Sequence, residues 1–318
     1  MIRSQLNSAI MPEPLIFLIL LVLVPLVFIG WFAGRKHATR LEALLALLFT
    51  SSLVVFLFQW GQYPYVGSYY LRYVLLILMV GAGFRVFRTV HSLPWYVKPG
   101  WRQGFLFGFF IIGSLVLIPL VWAAIQAHYV GKPSVEIQFP LRGGTYYIST
   151  GGSNSVLNLH YKPHTPAQMY AIDIDRVDRL GQYASGLAPD RLEDFLIYGE
   201  TVYSPCDGRV IEVEDGMPDN RPFEYDSETG SGNYVVIQSD SLQVELLHFR
   251  QGSLLVQPGD RVLAGDPVGR VGNSGFSTQP HLHLQVSRST GTDSSASQVG
   301  VPVRFGGRFL VRNSLFAN

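Results

Sequence analysis

The spacing of apolar and polar positions changes character near residue 127. Before it, long uncharged runs are separated by short loops. After it, apolar residues come in brief alternating runs broken by Gly, Asn, Asp, Ser and Pro. From Pro14 to Gly34, "PLIFLILLVLVPLVFIGWFAG" carries no charge over the roughly 20 residues that cross a bilayer core. The run ends in Trp31 and then Arg35-Lys36 instead of a small-residue cleavage site, so it is expected to be a retained span, not a removed leader. Further spans are expected at Glu42–Trp60, Gly67–Phe84 and Gly104–Ala127; the third contains Arg72, near enough to its end to snorkel. The pattern predicts a tail over 1–13, an α-helical membrane region over 14–127 with about four transmembrane helices, a linker "HYVGKPSVEIQFP" over 128–140, and a separate domain over 141–318.

In that last domain the period-two runs "TVYSP", "GRVIEV", "NYVVIQ", "QVELLHF", "DRVLAG", "DPVGRVG" and "HLHLQV" read as strands bounded by turn residues. Only "PDRLEDFLIY" offers a short helix, so the fold class is a mostly antiparallel β domain of short strands. The segment Glu214–Gly232 is too polar for a strand and long for a hairpin loop, as rims of binding grooves often are. The small polar run "TGTDSSASQ" at 290–298 is expected to be a surface turn.

Net charge, +1, averages two unlike halves and excludes little; no nucleic-acid partner is expected. The single cysteine, Cys206, rules out an intrachain disulfide and a Cys-rich metal site, and is expected to be a small buried residue. The distribution of basic residues is more informative. Arg35, Lys36 and Arg40 follow the first span, and Arg85, Arg88, Lys98 and Arg102 follow the third, whereas "GQYPYVGS" between the second and third has no charge. Basic loops stay inside, so the N-terminus and everything beyond residue 128 are expected outside. Few charges lie within the spans, so no transport path is indicated; anchoring is the default, with a membrane-protein partner an additional possibility for 1–127.

Two of the eight histidines flank one leucine in "VGNSGFSTQPHLHLQV". On a strand starting at Pro280, His281 and His283 share a face while Leu282 and Leu284 turn to the core. One ring can bind a metal while the other reaches substrate or water. A catalytic zinc takes three protein ligands and keeps an open position. Upstream, "LNLHYKPHTPAQMYAIDID" supplies His160, His164, Asp173 and Asp175. A His, an Asp and a second His make a mixed site that activates water at neutral pH. His248, in the separate run "VELLHF", is placed to hold a developing oxyanion.

"VYSPCDGRVIEV", "GNYVVI", "LLHFRQGSLLVQPGDRVLAGDPVGRVGNSG" and "PHLHLQV" resemble the M23 (LytM-type, lysostaphin-like) zinc metallopeptidases over about residues 140–312. The resemblance implies a compact antiparallel β groove, a Zn2+ cofactor, and cleavage of peptide cross-links or bridges of bacterial peptidoglycan. It implies Asp173 and His283 as ligands, His281 as general base and His248 as its companion. In a bacterium the apolar spans and the basic loops predict a multi-pass protein of the inner membrane, with the C-terminal domain on the periplasmic or cell-wall side. The family's His-x-x-x-Asp is absent, since Met169 stands four before Asp173, so the first ligand is His160 or His164. The setting favours His160. It ends an alternating run, "SVLNLH", that reads as a strand, whereas His164 sits among prolines. "HF" also replaces the usual "HL" at His248.

Two readings compete. "SPCDGRVIEV" and "VQPGDRVLAGDPVG" also resemble the turns of biotinyl/lipoyl-type domains, but the soluble half has only Lys132 and Lys162, neither at such a hairpin tip. The alternative of a non-catalytic module that binds peptidoglycan or activates a hydrolase predicts lost ligands, whereas Asp173, His248, His281 and His283 are all present.

Overall fold

The computed structural model describes residues 13–225, 230–290 and 297–318; most of the expected turn at 290–298 and of the N-terminal tail lies outside these. The chain divides into two compact units, Met1–Trp122 and Ala123–Asn318.

The first unit is helical: α1 (Glu13–Leu18) runs through a π-helical turn, Ile19–Leu23, into α2 (Val24–Gly34), followed by α3 (Arg40–Trp60), α4 (Leu71–Val90) and α5 (Trp101–Gln126). Four helices, Leu15–Gly34, Arg40–Trp60, Leu71–Val90 and Trp101–Gln126, are long and apolar enough to cross a membrane. The π turn lies just ahead of Pro25, which has no N–H for the carbonyl four residues back, and the widened turn absorbs that mismatch. α3 starts on a Thr-x-x-Glu signature: Thr39 Oγ1 accepts from the Glu42 N–H at 3.1 Å while Glu42 Oε2 accepts from the Ala38 N–H at 3.1 Å, a variant of the capping box.

The third helix differs from its expected bounds. Tyr63–Val66 form a buried 3-10 turn that ends at Gly67 with φ 116°, so α4 begins only at Leu71. It then continues past Phe84 through Arg85 and Arg88, because no helix-breaking residue stops it. Arg72, the second residue of α4, is 5% exposed, with its guanidinium 3.8 Å from the Phe58 ring centroid in a cation–π contact.

The second unit is built on strands β1 (Val135–Glu136), β2 (Thr145–Thr150), β3 (Ile172–Val177), β4 (Thr201–Tyr203), β5 (Gly208–Glu214), β6 (Asn233–Ser239), β7 (Leu242–Phe249), β8 (Arg261–Val262), β9 (Pro267–Arg270), β10 (Leu282–Ser289), β11 (Gln298–Gly300), β12 (Val303–Arg304) and β13 (Leu315–Ala317). Among the described residues, one nine-stranded sheet runs β13-β2-β3-β10-β7-β6-β5-β8 with β11 on β10; its ladders are antiparallel, and β1–β12 is a separate parallel pair. In chain order, four long apolar helices precede a mostly antiparallel β domain. Alternation places Leu282 and Leu284 of β10 in the core with Ile172 and Ile174 of β3 and Leu246 of β7, each at most 2% exposed.

Three sequence expectations are corrected here. "SVLNLH" is not a strand: Asn154 Oδ1 accepts from the Val156 N–H at 3.0 Å and Asn158 Oδ1 from the His160 N–H at 2.9 Å, so two asparagine side chains fold the run into turns. "PDRLEDFLIY" contributes only the 3-10 turn Leu192–Asp194. β10 starts at Leu282, so His281 stands one residue ahead of the strand instead of within it.

Candidate metal centre

The ladder register assembles the site. β10 lies between β3 and β7, with His283 directly opposite Asp173 on one side and Leu247 on the other. Residues facing each other in an antiparallel pair point to the same side, so Asp173 and His283 meet on the face opposite the buried leucines. The Asx turns that displace the expected strand bring His160 over the same carboxylate. His160 Nε2 lies 3.0 and 2.9 Å from Asp173 Oδ1 and Oδ2, and His283 Nδ1 lies 2.9 Å from Oδ1. The two rings stand 4.6 Å apart, almost perpendicular. Donor atoms of His160, Asp173 and His283 all lie within 4.8 Å of one another, the set that could hold a metal ion among the described residues. Asn158, fully buried, anchors the His160 turn: the two N–H groups of its amide are shared among the carbonyls of Gly152, Met169 and Ala171 at 3.0 to 3.2 Å. His164 lies exposed in the neighbouring turn, outside this cluster. Asp175 is buried on the same strand but is not in the cluster; its charge, added to burial, raises the Tyr183 hydroxyl.

Two more imidazoles border the carboxylate. His281 Nε2 is 3.7 Å from Asp173 Oδ1, while its Nδ1 faces the Gln279 carbonyl at 2.9 Å and Ser277 Oγ at 3.2 Å. A carbonyl only accepts, so Nδ1 carries the proton and Nε2 keeps its lone pair toward the site. His248 Nδ1 donates to the Ser274 carbonyl at 2.8 Å, and its ring is 4.8 Å from that of His281. His248 occupies an unusual backbone position, φ 68°, where the β6–β7 ladder slips register. This is a bulge that re-aims one side chain, strain of the kind that collects at functional sites. Its Ser274 partner is held by close approach of two loops: a Cβ on Gly232 would come 2.4 Å from Ser274 O, and one on Gly275 2.3 Å from Gly232 N.

Electrostatics follow from burial around one charge. Burial opposes ionisation of Asp173, but the electrostatic attraction of the neighbouring imidazoles and the hydrogen bonds from His160 and His283 outweigh it and hold the carboxyl well below its ordinary range. Burial pushes His160 down. It pushes His248 well down, with His281 and His283 adding to the effect. For His283 burial also acts downward, but the hydrogen bond and charge of Asp173 prevail and raise it. Cys206 is partly buried against the core, and burial pushes its thiol up to about 11, as suits an inert residue.

The long loop after β5 packs beside this site: Asn220 donates to the carbonyls of Gly275 at 2.6 Å and Ser277 at 3.1 Å, and Asp219 Oδ1 accepts from the Asn273 N–H at 2.8 Å. Its residues 226–229 lie outside the described residues. Sequence reasoning missed Ser274, Ser277 and Gln285. For Gln285 the signal was available, a polar residue two positions beyond His283 in an otherwise apolar run.

Residues 194–296 match the model of Peptidase family M23, so the chain carries an M23 peptidase domain. The match takes in His248, His281 and His283 and begins after His160 and Asp173. Over 110 residues the chain is 34% identical to the peptidoglycan DD-endopeptidase ShyA of Vibrio cholerae, covering 34% of this chain and 22% of ShyA. The chain spans about a fifth of the length of the curated relatives it matches. A solved zinc-containing peptidase from Vibrio cholerae is similar at 23% identity and TM-score 0.30, over 49% of this chain and 37% of that one. Lysostaphin from Staphylococcus simulans is similar at 21% identity and TM-score 0.29, over 48% of this chain and 47% of that one.

Proposed function

We propose that the chain is a membrane-anchored zinc endopeptidase that cleaves peptide cross-links or bridges of bacterial peptidoglycan. The observation that carries this reading is the convergence of His160, Asp173 and His283 on one point, with two correctly poised imidazoles beside it. The M23 domain and the peptidoglycan DD-endopeptidase among its relatives support the substrate class.

Two imidazoles and one carboxylate are the donor types zinc takes in catalytic sites, and three ligands leave a position open. His160 through Nε2, Asp173 and His283 through Nδ1 would hold the ion. Zinc there supplies the Lewis acidity that makes water nucleophilic at neutral pH and polarises the scissile carbonyl. His281 is the general base: its free Nε2 accepts a proton from the attacking water and returns it to the departing amide nitrogen. His248 has the same tautomer. To donate to an oxyanion from Nε2 it would have to be doubly protonated, which burial opposes, so it serves instead as a neutral acceptor that steadies the water or the charged His281.

The bias of basic residues toward two of the loops supports a C-terminal domain outside the inner membrane, facing the wall. The test is cleavage of purified cross-linked peptidoglycan by the full chain in detergent, with and without chelator, alongside reporter fusions at the C-terminus. Chelator-sensitive cleavage and an external C-terminus are expected. Peptidoglycan binding with neither zinc uptake nor cleavage would favour a binding or activating module instead, and a cytoplasmic C-terminus would exclude the wall as substrate.

A further inference from the structure

A ligating imidazole must offer a lone pair from one nitrogen, and the acceptor at its other nitrogen decides which. His283 is 3% exposed, with Nδ1 facing Asp173 at 2.9 Å. Its Nε2 lies 3.1 Å from Gln285 Oε1, itself on a side chain 3% exposed. Gln285 is two residues along β10 and shares the face of His283, and the ladder sets Glu245 of β7 directly opposite it. With Nδ1 turned to the metal position Nε2 carries the proton, and only the amide oxygen of Gln285 can accept it. As a neutral amide it fills this role without adding a second negative charge to the shell around Asp173.

We propose that Gln285 is the positioning residue of the site: by accepting from Nε2–H it locks His283 in the tautomer whose Nδ1 lone pair faces the metal position. This rests on the zinc reading above. Without the acceptor, the buried Nε2–H is left unpaired, or the proton moves to Nδ1, where it donates to Asp173 and removes the lone pair from the site. Outer-shell partners of this kind typically alter metal affinity by about 10- to 100-fold.

The test uses the full chain in detergent and zinc itself, with affinity measured by competition against a chromophoric chelator. Thermal unfolding of the metal-free protein serves as a check on folding. Gln285→Met keeps the volume and removes the acceptor, and should weaken zinc binding by about 10- to 100-fold. Gln285→Glu restores an acceptor and should bind within a few-fold of the unaltered protein. Should Gln285→Met fail to fold, Gln285→Leu carries the same expectation. Unchanged affinity in the Met or Leu variant overturns the proposal, as does equal weakening in the Glu variant, which would make packing the cause. Folded wild-type protein that takes up no zinc fails the parent reading itself; wild type that binds zinc beside an unaffected Gln285→Met fails only the role of Gln285.

Discussion

Both halves of the molecule surround a carboxylate with nitrogen groups, and they treat it in opposite ways. In the helical half Glu42, 1% exposed, accepts from Arg35 Nε at 2.8 Å, Gln103 Nε2 at 2.9 Å and the Ala38 N–H at 3.1 Å. Its partners are fixed donors that tie the start of α3 to the end of α2 and to α5. In the β half Asp173 faces three imidazoles at 2.9 to 3.7 Å. An imidazole nitrogen that donates to a carboxylate becomes a metal ligand once it gives up its proton. The first arrangement has donors that cannot be exchanged, whereas the second can be converted into a set of metal ligands. A buried charge alone does not mark a function; the exchangeability of its partners does.

The largest effect should come from Asp173→Asn, which keeps the shape and removes the charge. Zinc content measured by atomic emission should fall to background, and peptidoglycan cleavage with it. Retained zinc would place the carboxylate among structural pairs like Glu42. His281→Ala should keep its zinc yet lose about 10²- to 10⁴-fold in turnover, the usual cost of a general base; parallel loss of metal would make it a ligand. Acid should separate the halves as well. His283 is held protonated to a higher pH than a free imidazole because its Asp173 contact outweighs burial. Protons therefore compete with zinc on the acid side of neutrality. Affinity should drop by up to about tenfold per pH unit for each proton displaced and recover as pH rises. A pH-independent affinity between 5.5 and 7.5, about one unit either side of an ordinary imidazole, would contradict the site. Glu42→Gln should cost about 1–3 kcal/mol of stability by thermal unfolding in detergent while leaving zinc affinity unchanged. The smallest effect is expected for His164→Ala, neutral in zinc content, against loss of zinc in His160→Ala.

The helices were legible because their signal is local. An uncharged run of bilayer length, such as Pro14–Gly34, carries its meaning within itself. Misplacement occurred where neighbours intervened, at the tyrosine-lined turn that delays α4 to Leu71. In the β half the period-two runs gave most strands, but His281 stands ahead of β10, so its approach to Asp173 is not fixed by that period. The turn over 154–160 did not, because the asparagine side chains that make it compete with a pattern that reads as a strand.

By itself, then, the amino-acid sequence determined the division into apolar helices and short strands, the pairing of His281 with His283, and a short set of partners for them. Tertiary structure alone decided which partners meet. Asp173 reaches His283 through a ladder register spanning 110 positions. His160 is chosen over His164 by hydrogen bonds of Asn158 to carbonyls up to 13 residues away. The protons of His248 and His281 are directed to Nδ1 by the carbonyls of Ser274 and Gln279, and Gln285 faces the nitrogen of His283 turned away from Asp173. The physical reason is one of range. Burial periodicity is written along the chain, but where a lone pair points depends on whichever acceptor the completed fold brings to the other side of the ring.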